Sequence, residues 1–286
     1  MSGDALKTVV MPLAVMVIMF GMGMGLRAGD FVRVFVSPRA KLLGLGCQLV
    51  MLPLLAFGLV HVFRLPGELA VGLMLVAACP GGPMSNVITH LSRGDTALSV
   101  TLTALSSVVT VFSIPLVVGF ASGMFLDATS EVSLPFGRTV LQIALVTLLP
   151  AFLGMLFNAW QPALCRRLER VFMIFSLGFL ALVIGIASVR EEQLAMQFAK
   201  AGPAVVTLNL LGMGIGMALA TAMGLAKQRR ITITVEVGIQ NGALALAIAL
   251  GMLECPRIAM PAVVYSLIMF VSGAFMILRY GRSHAE

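Results

Sequence analysis

Charge is scarce in this sequence: only 11% of its 286 residues are Asp, Glu, Lys or Arg, while 59% are hydrophobic and the mean hydropathy is +1.04. An ordinary soluble domain carries roughly a quarter charged residues to solvate its surface, so that class is excluded. Cysteine is scarce too. Cys47, Cys79, Cys165 and Cys255 lie far apart with no CxxC spacing, which argues against a disulfide framework or a thiolate metal centre. There is no HExxH, no pair of aspartates at membrane depth and no evident base beside a Ser or Cys nucleophile, which disfavours an intramembrane enzyme. The net charge of +7 comes without a basic stripe interleaved with aromatics, so nucleic acid is not an expected partner.

What is abundant is long apolar sequence. Runs of about 20 residues, enough to cross a hydrocarbon core as helix, recur along the whole chain and leave no room for a soluble domain. The fold class expected is an all-α polytopic membrane protein, 1–286 forming a single membrane transporter domain with the lipid bilayer as its solvent. Nine spans are predicted, near 7–26, 39–62, 67–91, 96–120, 136–158, 166–189, 200–224, 231–252 and 257–279. Runs such as Met11 to Gly25 are apolar on all sides, unlike the alternating strands of a β-barrel. With the N-terminus outside and the C-terminus cytoplasmic, the inner loops hold thirteen of the nineteen Lys and Arg, and the outer loop 121–135 holds Asp127 and Glu131 but no cation. A multi-pass protein of the inner or plasma membrane follows. The first span lacks a basic leader region and a cleavage site, so it reads as a retained helix.

The two halves resemble each other. Spans within 7–120 line up with spans within 166–279 at a shift of about 160 residues, leaving 136–158 as an extra helix. Equivalent helices lie five crossings apart and run in opposite senses, which is the pattern of an inverted repeat in secondary transporters. Each half has one interrupted span at the same place. The first break is Pro80, Gly81, Gly82 and Pro83; the second is the stretch EVGIQNG, residues 236–242. Proline donates no backbone hydrogen bond and glycine permits unusual backbone angles, so both spans are expected to be discontinuous. A proline kink would explain the first break alone, but not the matched break or the polar residues beside both. Freed backbone groups cannot face lipid, and must face protein, water or a ligand.

Eleven of the twelve acids fall in loops, tails or span ends; Glu236 alone lies at depth. A carboxylate there costs at least about 2.5 kcal/mol unless matched, and no span offers it a Lys or Arg. A cation from solution is the simplest partner. Ser85, Asn86, Ser99, Thr103 and Gln240 supply hard oxygen donors nearby, suited to Na+ and not to a transition metal. Taken singly, Ser99 or Thr103 also fits an ordinary interhelical hydrogen bond. An anionic substrate would meet the half-helix N-termini after Gly82 and Pro83 and at Asn241 and Gly242, with Asn241 adding a side-chain donor.

These stretches resemble the bile acid:sodium symporter family. The likeness rests on CPGGPMSNVITHLSRGDTALSVTLTALSS at 79–107, VEVGIQNGALALA at 235–247 and MFGMGMGLRAGDF at 19–31, and extends over essentially the whole chain. It implies a core domain with two crossed broken helices, a panel domain, and alternating access. It also implies two Na+ sites: one from Ser85, Asn86, Ser99, Thr103 and Glu236, and one from Gln48, Glu236 and Gln240 with the carbonyls of Val237 and Ile239. Gln48 enters only by this resemblance, since one Gln in a helix reads as an interhelical bond. Nine spans resemble the family's vertebrate arrangement. Pro83 stands where the family usually has a small or hydroxylated residue, and His90 replaces a more usual aromatic; His90 by itself reads as a structural helix-end residue.

Sodium-coupled symport of a small organic anion by a monomer is the reading these features favour. A proton-coupled transporter, in which Glu236 takes up H+, and a non-transporting ligand sensor are the alternatives. The oxygen donors around Glu236 favour Na+, and no appended signalling domain is visible.

Overall fold

The computed structural model describes residues 11–27, 29, 38–126, 141–142, 144–165, 167–168, 171–172, 174–175, 178 and 194–281. Regular structure within them is helical: α1 Met11–Met24, α2 Pro38–Val62, α3 Gly67–Ala78, α4 Pro83–Leu91, α5 Thr96–Phe125, α6 Ala144–Trp160, α7 Leu194–Ala222, α8 Lys227–Gly238, α9 Gly242–Met252 and α10 Pro256–Tyr280. Of these, α2, α5, α10 and the Met196–Ala222 part of α7 are long and apolar enough to cross a membrane. Leu42, Leu54, Phe112, Leu116, Leu210, Val271 and Phe275 stand exposed on their outer faces, as side chains that meet lipid do. The chain is a multi-pass helical membrane protein. Most of the predicted span 166–189, and the start of 136–158, lie outside the described residues.

Local signals place the helix ends. Asp95 caps α5, its Oδ1 accepting the Leu98 amide at 3.0 Å, and Asn241 caps α9 in the same way toward Leu244 at 3.0 Å. Pro83 and Pro256 occupy first-turn positions of α4 and α10, where the missing N–H costs nothing. Inside α2 the turn Cys47–Met51 is a π-helix, the register shift that carries Gln48.

The spans expected at 67–91 and 231–252 are each two short helices. Between α3 and α4 the chain is extended at Cys79 (φ −70°, ψ 152°) and Gly82 (φ −116°, ψ 175°); between α8 and α9 it is extended at Ile239 (φ −111°, ψ 98°). The two unwound stretches meet. Gly81 and Gln240 form an isolated antiparallel β-bridge, and the Asn241 amide donates to the Pro80 carbonyl at 2.9 Å. Backbone groups released from each helix are thus partly satisfied by the other break, as a low-dielectric interior demands. α4 packs on α8 and α9 on α3, so each half-helix lies against a half of the other broken helix.

Around this crossing, α2, α5, α7 and α10 form a cage. Every residue of α3 from Leu69 to Ala78, and of α8 from Ile231 to Gly238, is buried. α1 and α6 pack on each other as a second group that touches α5 and α9. Toward the C-terminal ends of α1 and α4, a cavity of about 370 Å³ lies between α1, α4 and the start of α5, with Met22, Leu26, Met84, Asn86 and His90 on its walls. At the other end, between α1, α6 and α9, Pro12, Thr147, Ala247 and Gly251 enclose only about 30 Å³.

Candidate ion and anion site

Glu236 lies in the last turn of α8 and is 1% exposed. Its Oε1 accepts from Ser85 Oγ at 2.7 Å and from Ser99 Oγ, and its Oε2 accepts from Thr103 Oγ1 at 3.1 Å. Asn86 Oδ1 joins the group, 2.8 Å from Ser99 Oγ and 3.4 Å from Thr103 Oγ1. The five residues come from α4, α5 and α8. Ser99 and Thr103 share one face of α5 because they are one turn apart, while Ser85 and Asn86 open α4 immediately after the break. Among the described residues no Lys or Arg forms an ion pair with this carboxylate; the ion pairs found, Arg229 with Asp95 and Arg257 with Glu68, lie at the protein surface.

A second group lies on the other side of the same turn. Gln240 Nε2 donates to the Val237 carbonyl at 2.8 Å, and Gln48 Nε2 reaches the Glu236 carbonyl at 3.5 Å. The amide oxygens of both, Gln48 Oε1 and Gln240 Oε1, are buried without a hydrogen-bond partner among the described residues. Buried acceptors left bare are costly, and two of them beside a helix C-terminus fit a cation. Ile239 is the extended residue directly after α8.

The four residues expected to face an anion also adjoin. Gly82 caps α4 and Pro83 begins it, while Asn241 caps α9 and Gly242 begins it. A Cβ on Gly82 would stand 3.5 Å from Asn241 Cα, so the two helix starts are in contact. Asn241 spends its Oδ1 on the cap, which leaves Nδ2 buried without a partner among the described residues and free to donate. Pro83 and Asn86 line the 370 Å³ cavity. His90, the residue read as structural, is exposed at the end of α4 and lines that cavity as well.

The sequence places Gly81 in the first break but does not single out Thr89, Asn209 or Tyr265. Gly81 has a definite packing role: a Cβ there would lie 2.6 Å from Glu236 Oε2, so glycine lets the unwound chain pass directly over the carboxylate. Thr89 Oγ1 lies 3.3 Å from Ser99 Oγ. Asn209 and Tyr265, both fully buried, converge on the Gly238 carbonyl. A signal for Asn209 existed, since it stands at the repeat shift of about 160 residues from Gln48.

A sequence profile described as the Sodium Bile acid symporter family matches residues 12–198. The chain belongs to this family. It is 30% identical to the uncharacterized sodium-dependent transporter YocS of Bacillus subtilis over 261 residues, 91% of this chain and 79% of that protein. A match that long includes both helix breaks. It is 33% identical to the probable chloroplastic sodium/metabolite cotransporter BASS1 of Arabidopsis thaliana over 59% of this chain, and to the human sodium/bile acid cotransporter 4 over 49%. The chain spans 41% of the length of the former and 32% of the latter. Within the family match fall Gln48, Ser85, Asn86, Ser99 and Thr103; Glu236 and Gln240 lie beyond its end.

Proposed function

We propose that the protein is a sodium-coupled symporter that imports a small organic anion by alternating access. The observation that carries this reading is a buried carboxylate, Glu236, ringed by side-chain oxygens from three helices with no cationic side chain paired to it among the described residues. Na+ is the co-substrate that completes the ring. When it enters, the hydroxyls of Ser85, Ser99 and Thr103, which now donate to the carboxylate, turn their lone pairs to the ion beside Asn86 Oδ1. A second Na+ takes the bare oxygens of Gln48 and Gln240 with the carbonyls of Val237 and Ile239. Both sites share Glu236, and both draw on the unwound segments, so ion binding orders the crossing that holds the anion. The substrate carboxylate then sits between Gly82, Pro83, Asn241 and Gly242, where helix N-termini and Asn241 Nδ2 offer positive partial charge.

Transport follows from rocking α1 and α6 against the cage. With the N-terminus outside and the C-terminus cytoplasmic, the 370 Å³ cavity opens inward and its 30 Å³ counterpart is the closed outward path. The inverted repeat makes these two ends near-equivalent, so closing one and opening the other is a small change of the same packing. Two Na+ with a monovalent anion carry one net charge inward, worth about 2.3 kcal/mol per 100 mV. The sodium-dependent naming of relatives such as YocS agrees with this coupling. Uptake by proteoliposomes under a Na+ gradient without a pH gradient tests it. Accumulation of a carboxylate only with Na+ is expected; uptake driven equally by a pH gradient in Na+-free medium would establish proton coupling instead.

A further inference from the structure

The last carbonyl of α8 is held from outside the site. Helix ends leave their final carbonyls without partners, and at depth in a membrane protein no water is at hand to satisfy them. Gly238, the last residue of α8, accepts from Asn209 Nδ2 at 2.7 Å and from Tyr265 Oη at 3.1 Å. Asn209 Nδ2 and Tyr265 Oη are themselves 3.4 Å apart, and both residues are 0% exposed. The amide cannot be turned round, because that would set two oxygens 2.7 Å apart. Its Oδ1 consequently points elsewhere and has no partner among the described residues. α7 and α8 approach closely here: a Cβ on Gly238 would overlap the Met213 side chain, one turn along α7 from Asn209.

Gly238 separates Val237 from Ile239, and Gln48 and Gln240 gather on the adjoining Glu236 and Val237 carbonyls. The Gly238 carbonyl lies in the peptide plane that joins Gly238 to Ile239, so pinning it toward α7 and α10 restrains the neighbouring peptide planes that carry the Val237 and Ile239 carbonyls. We propose that Asn209 and Tyr265 are positioning residues: they clamp the Gly238 carbonyl and so aim those of Val237 and Ile239 at the second Na+. The inference rests on the sodium-symport reading above. Neither residue touches the ion. Their role is to keep the ligand fan in its binding shape when the site is empty, which lowers the ordering that Na+ must induce.

The test is Na+-titrated thermal stabilisation of the purified full-length protein in detergent, with choline as the balancing cation. Tyr265→Phe keeps the ring and loses the hydroxyl; Asn209→Leu keeps the volume and loses the amide. Ser272→Ala, which removes a buried hydroxyl on α10 bonded among the described residues only to its own helix at 3.2 Å, is the structural control. Tyr265→Phe is expected to raise the half-saturating Na+ concentration about fivefold or more and to lower the Hill coefficient toward one, with Asn209→Leu in the same direction and Ser272→Ala unchanged. If wild type responds to Na+ and Tyr265→Phe gives a superimposable titration, the positioning role is overturned while symport stands, even if melting in choline falls. If Asn209→Leu does not fold, Tyr265→Phe decides alone. If wild type itself gains nothing from Na+ over choline, the symport reading falls and this inference with it.

Discussion

Gly81→Ala probes the Glu236 site with a single methyl group. The added Cβ would lie 2.6 Å from Glu236 Oε2 and 3.4 Å from Ser85 Oγ, where ordinary contact begins at about 3.4 Å. The carboxylate must therefore retreat by about 0.8 Å or the crossing must open by as much. Thr103 Oγ1 stands 3.1 Å from Oε2, so a shift of that size distorts this hydrogen bond whichever way the carboxylate turns. A displaced carboxylate is a poorer ligand for Na+, and a loss on the scale of one hydrogen bond to a charged group, about 1.5–3 kcal/mol, predicts at least a tenfold rise in half-saturating Na+. Gly82→Ala is the matched control. Its Cβ would meet nothing nearer than Asn241 Cα at 3.5 Å, and its φ of −116° is open to any residue. Na+-dependent stabilisation, read as the shift in melting temperature across a Na+ titration, should weaken in Gly81→Ala and persist in Gly82→Ala. Equal Na+ responses in the two variants would refute the packing argument.

Asn241 separates two roles by substitution. Asn241→Ser retains an N-cap hydroxyl and should melt near wild type while losing the extra stabilisation by substrate in Na+, whereas Asn241→Ala should also lose about 1 kcal/mol of stability with the cap. Asp95→Ala should destabilise the protein by about 1–2 kcal/mol, since the Asp95 side chain caps α5 by accepting the Leu98 amide at 3.0 Å; denaturant melts of the reconstituted protein measure it. Arg229→Ala, which removes only the half-exposed 3.6 Å ion pair to Asp95, should cost less than about 1 kcal/mol in the same assay. His90→Ala should leave the Na+ titration unchanged, because His90 lies in the cavity wall and outside the oxygen cluster.

The breaks were legible because Pro80, Gly81, Gly82 and Pro83 carry their backbone constraints in their chemistry, and Glu236 because charge at membrane depth is conspicuous. Ser85, Asn86, Ser99 and Thr103 were legible through spacing, being on helix faces one turn apart or directly after the break. Gln48 was not: one amide in an apolar span has no partner that spacing can name, and only the family likeness singled it out. The bridge between Gly81 and Gln240 was hidden for another reason, since pairing one residue per chain leaves no period in the sequence. Asn209 and Tyr265 escaped because their common partner is a backbone carbonyl, 29 and 27 residues away along the chain, and every residue has one. The unequal cavities at the two ends of the crossing depend on packing between segments far apart in the chain, α1 with α4 and α5 at one end and α1 with α6 and α9 at the other, and not on any local pattern.

The most direct measurement is Na+-titrated melting of wild type beside Glu236→Gln, a near-isosteric change that can still bond to Ser85, Ser99 and Thr103 while removing the charge. Wild type should gain stability with Na+ but not with choline, and Glu236→Gln should melt at one temperature in both salts. A Glu236→Gln protein that still gains stability with Na+ as wild type does would contradict the account.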